Sequence, residues 1–103
     1  MRRAARVDSN HMTIIKGLRN VGCSVVDLSR VGQGCPDIGV GFGGITLLFE
    51  IKDGEKPPSA RKLTKDEKKW HENWKGHIAV VTSLGDAIEQ VKLLTKNIKK
   101  VKE

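Results

Sequence analysis

The segment from Gly34 to Gly54 constrains the fold more than any other part of this 103-residue chain. It contains two stretches, 37–42 and 45–52, in which apolar residues recur at every second position. Between them stands Gly43-Gly44, a pair typical of the tight two-residue turn of a β-hairpin. We therefore predict an antiparallel hairpin whose register is set by the apolar alternation.

The register of this hairpin decides which side chains share a face. A two-residue turn places Phe42 opposite Ile45, and counting outward places Asp37 opposite Glu50, with Cβ atoms about 5 Å apart. Lys52 lies two residues beyond Glu50 and points to the same side. One face therefore brings two carboxylates and an ammonium together at the open end of the hairpin. The other face is apolar and forms a slab of the core, with Ile38, Val40, Phe42, Ile45, Leu47, Phe49 and Ile51.

Two adjacent carboxylates repel each other, and the pKa of one of them rises unless a cation joins them. A divalent metal supplies that charge, and Mg²⁺ favours one or two carboxylates, a backbone carbonyl and several waters. A lysine beside the metal can orient an attacking water or stabilise charge on a phosphate oxygen. The alternative is a cross-strand charge pair on a solvated face.

The order Pro36-Asp37, twelve further residues and then Glu50-Ile51-Lys52 resembles the PD-D/ExK nuclease signature. With the preceding 31–35 (Val-Gly-Gln-Gly-Cys) and the following Asp53-Gly54, the chain is similar to the virus-type replication-repair nuclease (VRR-NUC) domain in its short stand-alone phage form. The resemblance covers the chain from about Arg6 to the start of the last helix. It implies a restriction-endonuclease-like αβββαβ core with a mixed central sheet. It also implies a homodimer that cuts four-way (Holliday) junctions and other branched DNA in a bacterial host.

The length favours a single domain over 1–103 with an α/β fold of order α-β-β-β-α-β-α. The expected elements are a helix from Asp8 or Ser9 to Asn20, a strand over 23–28, a loop over 29–36, the hairpin, a turn-rich linker over 53–62, a helix from 64 to Gly76, a strand over 77–82 and a final helix capped by Ser83. The inward-facing apolar residues of the first and last helices are expected to be Ile14, Ile15, Leu18 and Val21, then Ile88, Val91, Leu94 and Ile98.

The sequence leaves two alternative roles open for four polar residues near the helix starts and for a pair of tryptophans. Thr64 and Glu67 are spaced as a capping box, whereas the related family commonly has a glutamine in this part of the helix, near the metal. Glu67 is therefore either a cap or a catalytic residue. The family also places an acidic residue on the first helix, where only Asp8 and Asn10 are available, although Asp8 serves equally well as an N-cap. The i, i+4 spacing of Trp70 and Trp74 favours core packing over stacking on unpaired bases.

The chain is basic, with 19 Lys and Arg against 12 Asp and Glu and a formal charge of +7, which suits an anionic partner. Residues 1–7 form a loose basic arm and 96–103 a lysine-rich tail. Two cysteines without metal-ligand spacing indicate reduced thiols, and neither a membrane span nor a signal peptide is evident, so a cytoplasmic location is expected. The predicted DNA-binding residues are Arg30, Gln33, Lys56, Arg61, Lys62 and Lys65, and the alternative is a solvated loop for Arg30 and Gln33 and a solvated helix face for the others.

These observations predict a Mg²⁺-dependent DNA endonuclease, in which Mn²⁺ can substitute. Asp37, Glu50 and the carbonyl of Ile51 would bind the metal, Lys52 would act on the water or the phosphate, and Glu67 is the further catalytic candidate. The alternatives are a less selective nickase or restriction-type nuclease, a catalytically silent DNA-binding module, and a small protein-interaction domain.

Overall fold

The computed structural model describes residues 9–102, with side chains described as far as Lys96. Three predicted features lie outside the described residues: the basic arm (Arg2, Arg3 and Arg6), Asp8, and the side chains of the tail beyond Lys96, Ile98 included. The elements are α1 (His11–Asn20), β1 (Ser24–Asp27), β2 (Ile38–Phe42), β3 (Ile45–Ile51), a short 3-10 helix (Pro58–Arg61), α2 (Lys65–Asn73), β4 (His77–Val81) and α3 (Leu84–Lys102). This order confirms the predicted α/β fold, apart from the 3-10 helix inside the predicted linker.

The four strands form one mixed sheet in the order β1-β2-β3-β4. The first three strands are antiparallel, and β4 pairs in parallel with β3. Phe42 lies opposite Ile45 and Ile38 opposite Phe49, which confirms the predicted hairpin and its turn. The strands are slightly shorter than predicted, because β2 begins one residue after Asp37 and β3 ends one residue before Lys52.

The core lies on the apolar face of the hairpin, where α1 packs against α3 and β1, and α3 also packs against β3 and β4. Phe49 is fully buried at its centre. Val21, predicted on the inner face of α1, is 51% exposed, because it follows the last helical residue and no longer obeys the helical period. The buried apolar side chains of α1, the hairpin and α3 are Ile14, Ile15, Leu18, Ile38, Val40, Leu47, Phe49, Ile51, Ala87 and Val91.

The start of α1 differs from the prediction. The helix begins at His11 with Asn10 at its N-cap position, and no side chain caps it. Ser9, predicted as a cap, donates its hydroxyl to Asp53 instead. The Asn10 amide donates to the carbonyl oxygens of Lys52 and Thr82, at 3.3 and 3.1 Å. Tertiary hydrogen bonds to the ends of β3 and β4 therefore replace a local cap and fix α1 beside them.

Helix α2 begins as predicted but is packed differently. Thr64 and Glu67 form the expected capping box, whereas the helix ends at Asn73 rather than at Gly76. No side chain of α2 is buried, and Trp74 is 43% exposed. The prediction that Trp70 and Trp74 pack in the core is therefore wrong. Their spacing places them on one helix face, but whether that face is covered depends on tertiary packing.

Candidate active site

The two carboxylates of the hairpin meet where β2 begins and β3 ends. Extending the register by one residue beyond Ile38 and Phe49 places Asp37 opposite Glu50, as predicted. Asp37 Oδ2 accepts a hydrogen bond of 2.7 Å from the backbone N–H of Ile51. Glu50 lies on β3 and is 3% exposed, although it points to the face opposite the apolar core. The alternation of side chains along β3 thus places Glu50 on the face away from the apolar core, and this acidic side chain is nevertheless buried.

Lys52 connects this pair to α2. Its ammonium Nζ lies 3.7 Å from Glu50 Oε2 and 2.9 Å from Glu67 Oε1. The same Glu67 oxygen accepts the Thr64 N–H at 2.8 Å, which is the return bond of the capping box. The position of Glu67 is therefore compatible with both roles expected from the sequence, since one carboxylate caps α2 and contacts Lys52.

The environment shifts the pKa values of the three carboxyl groups in different directions. Burial, followed by the charges of Asp37 and Glu67, raises the pKa of Glu50 to about 9. Burial also raises the pKa of Asp37. Burial alone would raise the pKa of Glu67, but the hydrogen bonds from the Thr64 amide and the Lys52 ammonium outweigh it and leave this pKa lowered. The hairpin carboxyls thus resist carrying two negative charges without a further cation.

The residues present fit a divalent cation. Glu50 Oε1 is buried and has no hydrogen-bond partner, and the carboxylates of Glu50 and Glu67 share the ammonium of Lys52. Within residues 9–102 no group of three or more His, Cys, Asp or Glu side chains is arranged to hold a metal. A cation here would therefore rely on Asp37, Glu50, a backbone carbonyl such as that of Ile51, and water, a donor set that suits Mg²⁺.

Two histidines lie near the carboxylates although the sequence motifs did not point to them. His11 is buried, and its Nε2 lies 3.2 Å from Asp27 Oδ2. His71 lies close enough to Glu67 for the carboxylate to affect its pKa, which burial lowers. Helical spacing could have identified both histidines. His11 lies on the same face of α1 as Ile14, Ile15 and Leu18, and His71 follows Glu67 by four residues on α2.

The predicted DNA-binding residues differ in their exposure. Arg30, Lys56, Lys62 and Lys65 are exposed, whereas Arg61 is half-buried with an Nε that has no partner. Gln33 is exposed and lines a cavity with Trp70 and Trp74. Of the remaining candidates, Asn10 binds backbone carbonyls at the ends of β3 and β4, as described above. Both cysteines are free, and burial, followed by the charges of Glu50 and Asp37, raises the pKa of Cys35.

Comparison of the chain with protein-family models, with curated proteins and with solved structures gives no match. The fold and the geometry of the site therefore carry the functional argument, together with the motif. Among the described residues, no helix combines the length and apolar character needed to cross a membrane.

Proposed function

We propose that this protein is a Mg²⁺-dependent DNA endonuclease whose active site comprises Asp37, Glu50 and Lys52. The observation that carries the proposal is the pair of carboxylates at the end of the hairpin, with Asp37 half-buried, Glu50 buried, Glu50 Oε1 lacking a partner and one lysine beside it. The spacing of these residues resembles that of the PD-D/ExK signature and, with its flanking residues, the VRR-NUC domain. A basic chain of formal charge +7 suits the phosphate backbone of the substrate.

Each residue has a defined task in this proposal. Asp37 and Glu50 would hold Mg²⁺ with the carbonyl of Ile51, and the bound ion would polarise the scissile phosphate and lower the pKa of a coordinated water. Lys52 would orient the attacking water or donate to a phosphate oxygen as negative charge develops. Asp37 is held in place by the N–H of Ile51, so that β3 positions both carboxylates.

Glu67 would act as a positioning residue for Lys52. Its Oε1 accepts from the Lys52 ammonium at 2.9 Å and is itself fixed by the Thr64 amide. The start of α2 therefore determines where the lysine lies relative to Glu50.

We further propose branched DNA, four-way junctions in particular, as the substrate, and a homodimer as the active form. One hairpin site cuts one strand at a time, whereas a symmetric junction requires two coordinated cuts. A two-fold dimer supplies two sites in matching orientation.

Cleavage assays on junction, flap and plain duplex DNA test the proposal, with Mg²⁺, Mn²⁺ or EDTA. Asp37→Asn and Lys52→Ala should each lower the rate by about 100-fold or more, since each removes a group that acts on the transition state. Glu72→Gln, an exposed carboxylate on α2, is the matched control and should cleave like the wild type. Cleavage that persists in EDTA, or in Asp37→Asn, would contradict the proposal.

A second candidate is a catalytically silent DNA-binding module that has kept the hairpin. It is favoured by the engagement of Lys52 with two carboxylates and by the absence, among residues 9–102, of a group of three metal-ligating side chains. The two candidates differ in thermal stability with metal. The melting temperature of a nuclease should rise in Mg²⁺ or Mn²⁺, and this rise should be absent in Asp37→Asn. The melting temperature of the silent module should respond to neither metal.

A further inference from the structure

Trp70, on α2, and Trp74, the residue that follows the helix, form an aromatic surface that the site described above does not use. Their ring centroids are 5.5 Å apart and their planes are tilted by 33°. Trp70 is half-buried and Trp74 is 43% exposed. We call this pair the tryptophan platform. A pair of large aromatic rings left open to solvent indicates a binding surface, because burying them would otherwise stabilise the fold.

A cavity of about 380 Å³ opens beside the platform. Its polar lining consists of Gln33, Asp66, Lys69 and Asn73. A cavity of this size can take a planar ring system such as a nucleobase. The amide groups of Gln33 and Asn73 supply both donors and acceptors to the edge of such a ring.

The backbone at Gln33 is held in an unfavourable conformation at the rim of this cavity. Its φ is +56°, and the neighbouring Gly32 and Gly34 also have positive φ, at +79° and +83°. Non-glycine residues seldom adopt this region, and such strain tends to persist at binding sites where surrounding contacts enforce it. Next to Gln33, Gly34 approaches the backbone of Asp66 on α2 so closely that a Cβ at position 34 would overlap it.

The charges around the platform favour a polyanion. Lys65, Lys68, Lys69 and Lys75 are exposed along and just beyond α2. Lys69 lines the cavity together with Asp66, so that an unpaired nucleotide can stack its base on the indoles while its phosphates contact lysines. A duplex offers the same phosphates but keeps its bases stacked on each other.

The platform adjoins the carboxylate cluster through the geometry of α2. Glu67 and His71 are one turn apart on one stripe of this helix, and Asp66 and Trp70 form the neighbouring stripe, about 100° around the axis. Glu67 contacts Lys52. The same helix therefore carries Trp70 of the platform and the residue that contacts Lys52.

We propose that the tryptophan platform stacks on an unpaired nucleobase of the DNA substrate. This inference rests on the proposed nuclease function and adds the reason for a preference for branched DNA, since junctions and flaps present unpaired bases next to duplex.

Tryptophan fluorescence tests the stacking directly. The chain contains two tryptophans, both in the platform, and no tyrosine, so its indole emission reports on this surface alone. In EDTA, an oligothymidylate single strand should quench the emission in a saturable manner. A blunt duplex with the same number of phosphates should bind with little quenching.

Two substitutions separate stacking from simple charge attraction. Trp74→Ala should weaken single-strand binding by about 5- to 150-fold, as expected for loss of one stacked base, and leave duplex binding within about two-fold. Trp74→Phe should keep most of the affinity because it retains an aromatic face. Leu93→Ala, which removes an exposed apolar side chain on α3, is the matched control and should bind like the wild type.

The outcomes that overturn the inference differ from those that overturn the nuclease. Equal quenching by single strand and duplex would overturn the stacking proposal even if metal-dependent cleavage were seen. Emission that changes with protein concentration alone would also overturn it, because it would mark the platform as a contact with a second copy. Selective quenching with no cleavage by the wild type in Mg²⁺ or Mn²⁺ would instead keep the platform as a single-strand binding surface and remove the enzyme.

Discussion

At the scale of single residues, Glu50 is an acidic side chain in an environment that disfavours its charge. It is 3% exposed, one of its oxygens has no partner, and Asp37 and Glu67 add negative charge to its surroundings. Natural proteins retain such a residue where function requires it, since a neutral side chain of the same shape would be more stable there. The unfavourable environment of Glu50 is thus a physical argument for a bound cation.

We predict that Glu50→Gln stabilises the metal-free protein at pH 8. The folded-state pKa of Glu50 is raised to about 9 from 4.5, so the folded state holds this proton more tightly than the unfolded state does. The wild type therefore loses stability as pH rises from about 4.5 to 9, whereas glutamine does not titrate. Thermal unfolding in EDTA should show a melting temperature higher by about 4 °C or more in the variant at pH 8.

The same comparison at about pH 3.5 provides the internal control, because this is below both pKa values, so the wild-type carboxyl is largely protonated in both states and the two melting temperatures should converge. Glu72→Gln, at an exposed position, should match the wild type at both pH values. A Glu50→Gln variant that is less stable than the wild type at pH 8 would show that Lys52 already neutralises the cluster.

Glu67 has two tasks that substitution can separate. We predict that Glu67→Ala loses about 0.5–2 kcal/mol of stability, because it removes the return bond of the capping box. Glu67→Gln keeps an oxygen for the Thr64 amide and should lose less than half as much. Both variants remove the charge that holds Lys52, so cleavage should fall in both. Urea unfolding and single-turnover cleavage of the same preparations measure the two effects, and equal stability losses in the two variants would contradict the capping role.

At the scale of elements, the position of α2 depends on a close contact with the loop before the hairpin. We predict that Gly34→Ala destabilises the protein by more than about 2 kcal/mol, since a Cβ there would overlap the Asp66 backbone and the φ of +83° disfavours alanine. Gly32→Ala is the matched control, because its φ is +79° and nothing lies within 4 Å of the added atom. It should cost only about 1 kcal/mol. Urea unfolding of both variants gives the comparison, and equal losses would show that the contact with α2 contributes nothing.

The hairpin was predictable from sequence because the signals that specify it are local. The surroundings of α2 were not predictable because they depend on tertiary packing. In 37–52, the alternation of apolar residues and the Gly43-Gly44 turn specify the same register of the hairpin. Counting outward from the turn was therefore enough to predict that Asp37 lies opposite Glu50. On α2, local signals identified the Thr64 cap, but the exposure of Trp70 and Trp74 depends on which elements cover the helix. The same limit applies to the first helix, whose cap was lost to contacts with residues more than 40 positions away along the chain.

At the scale of the whole molecule, charge and topology act together. The formal charge of +7 attracts a polyanion to the chain as a whole, while the three carboxylates gather at the ends of β3 and β2 and the start of α2. Such a negative cluster repels a phosphate unless a cation is bound between them. In the proposed nuclease, binding of DNA and binding of metal should therefore support each other, because the metal reduces the repulsion between the carboxylates and the phosphate.

The proposed homodimer leads to a prediction about coordinated cuts. A single hairpin site can break one strand, so resolution of a four-way junction should require two active chains in one assembly. When wild type and Asp37→Asn are co-expressed in equal amounts and purified together, random pairing leaves about a quarter of the dimers with two active sites. Paired cuts on a junction in a plasmid should then fall to about a quarter of the wild-type level, while nicks at one strand persist at about half or more. Agarose gels separate the nicked and linear products. Paired cutting that falls only to a half would mean that each chain completes both cuts alone, and sedimentation of the wild type as a monomer would likewise contradict the dimer.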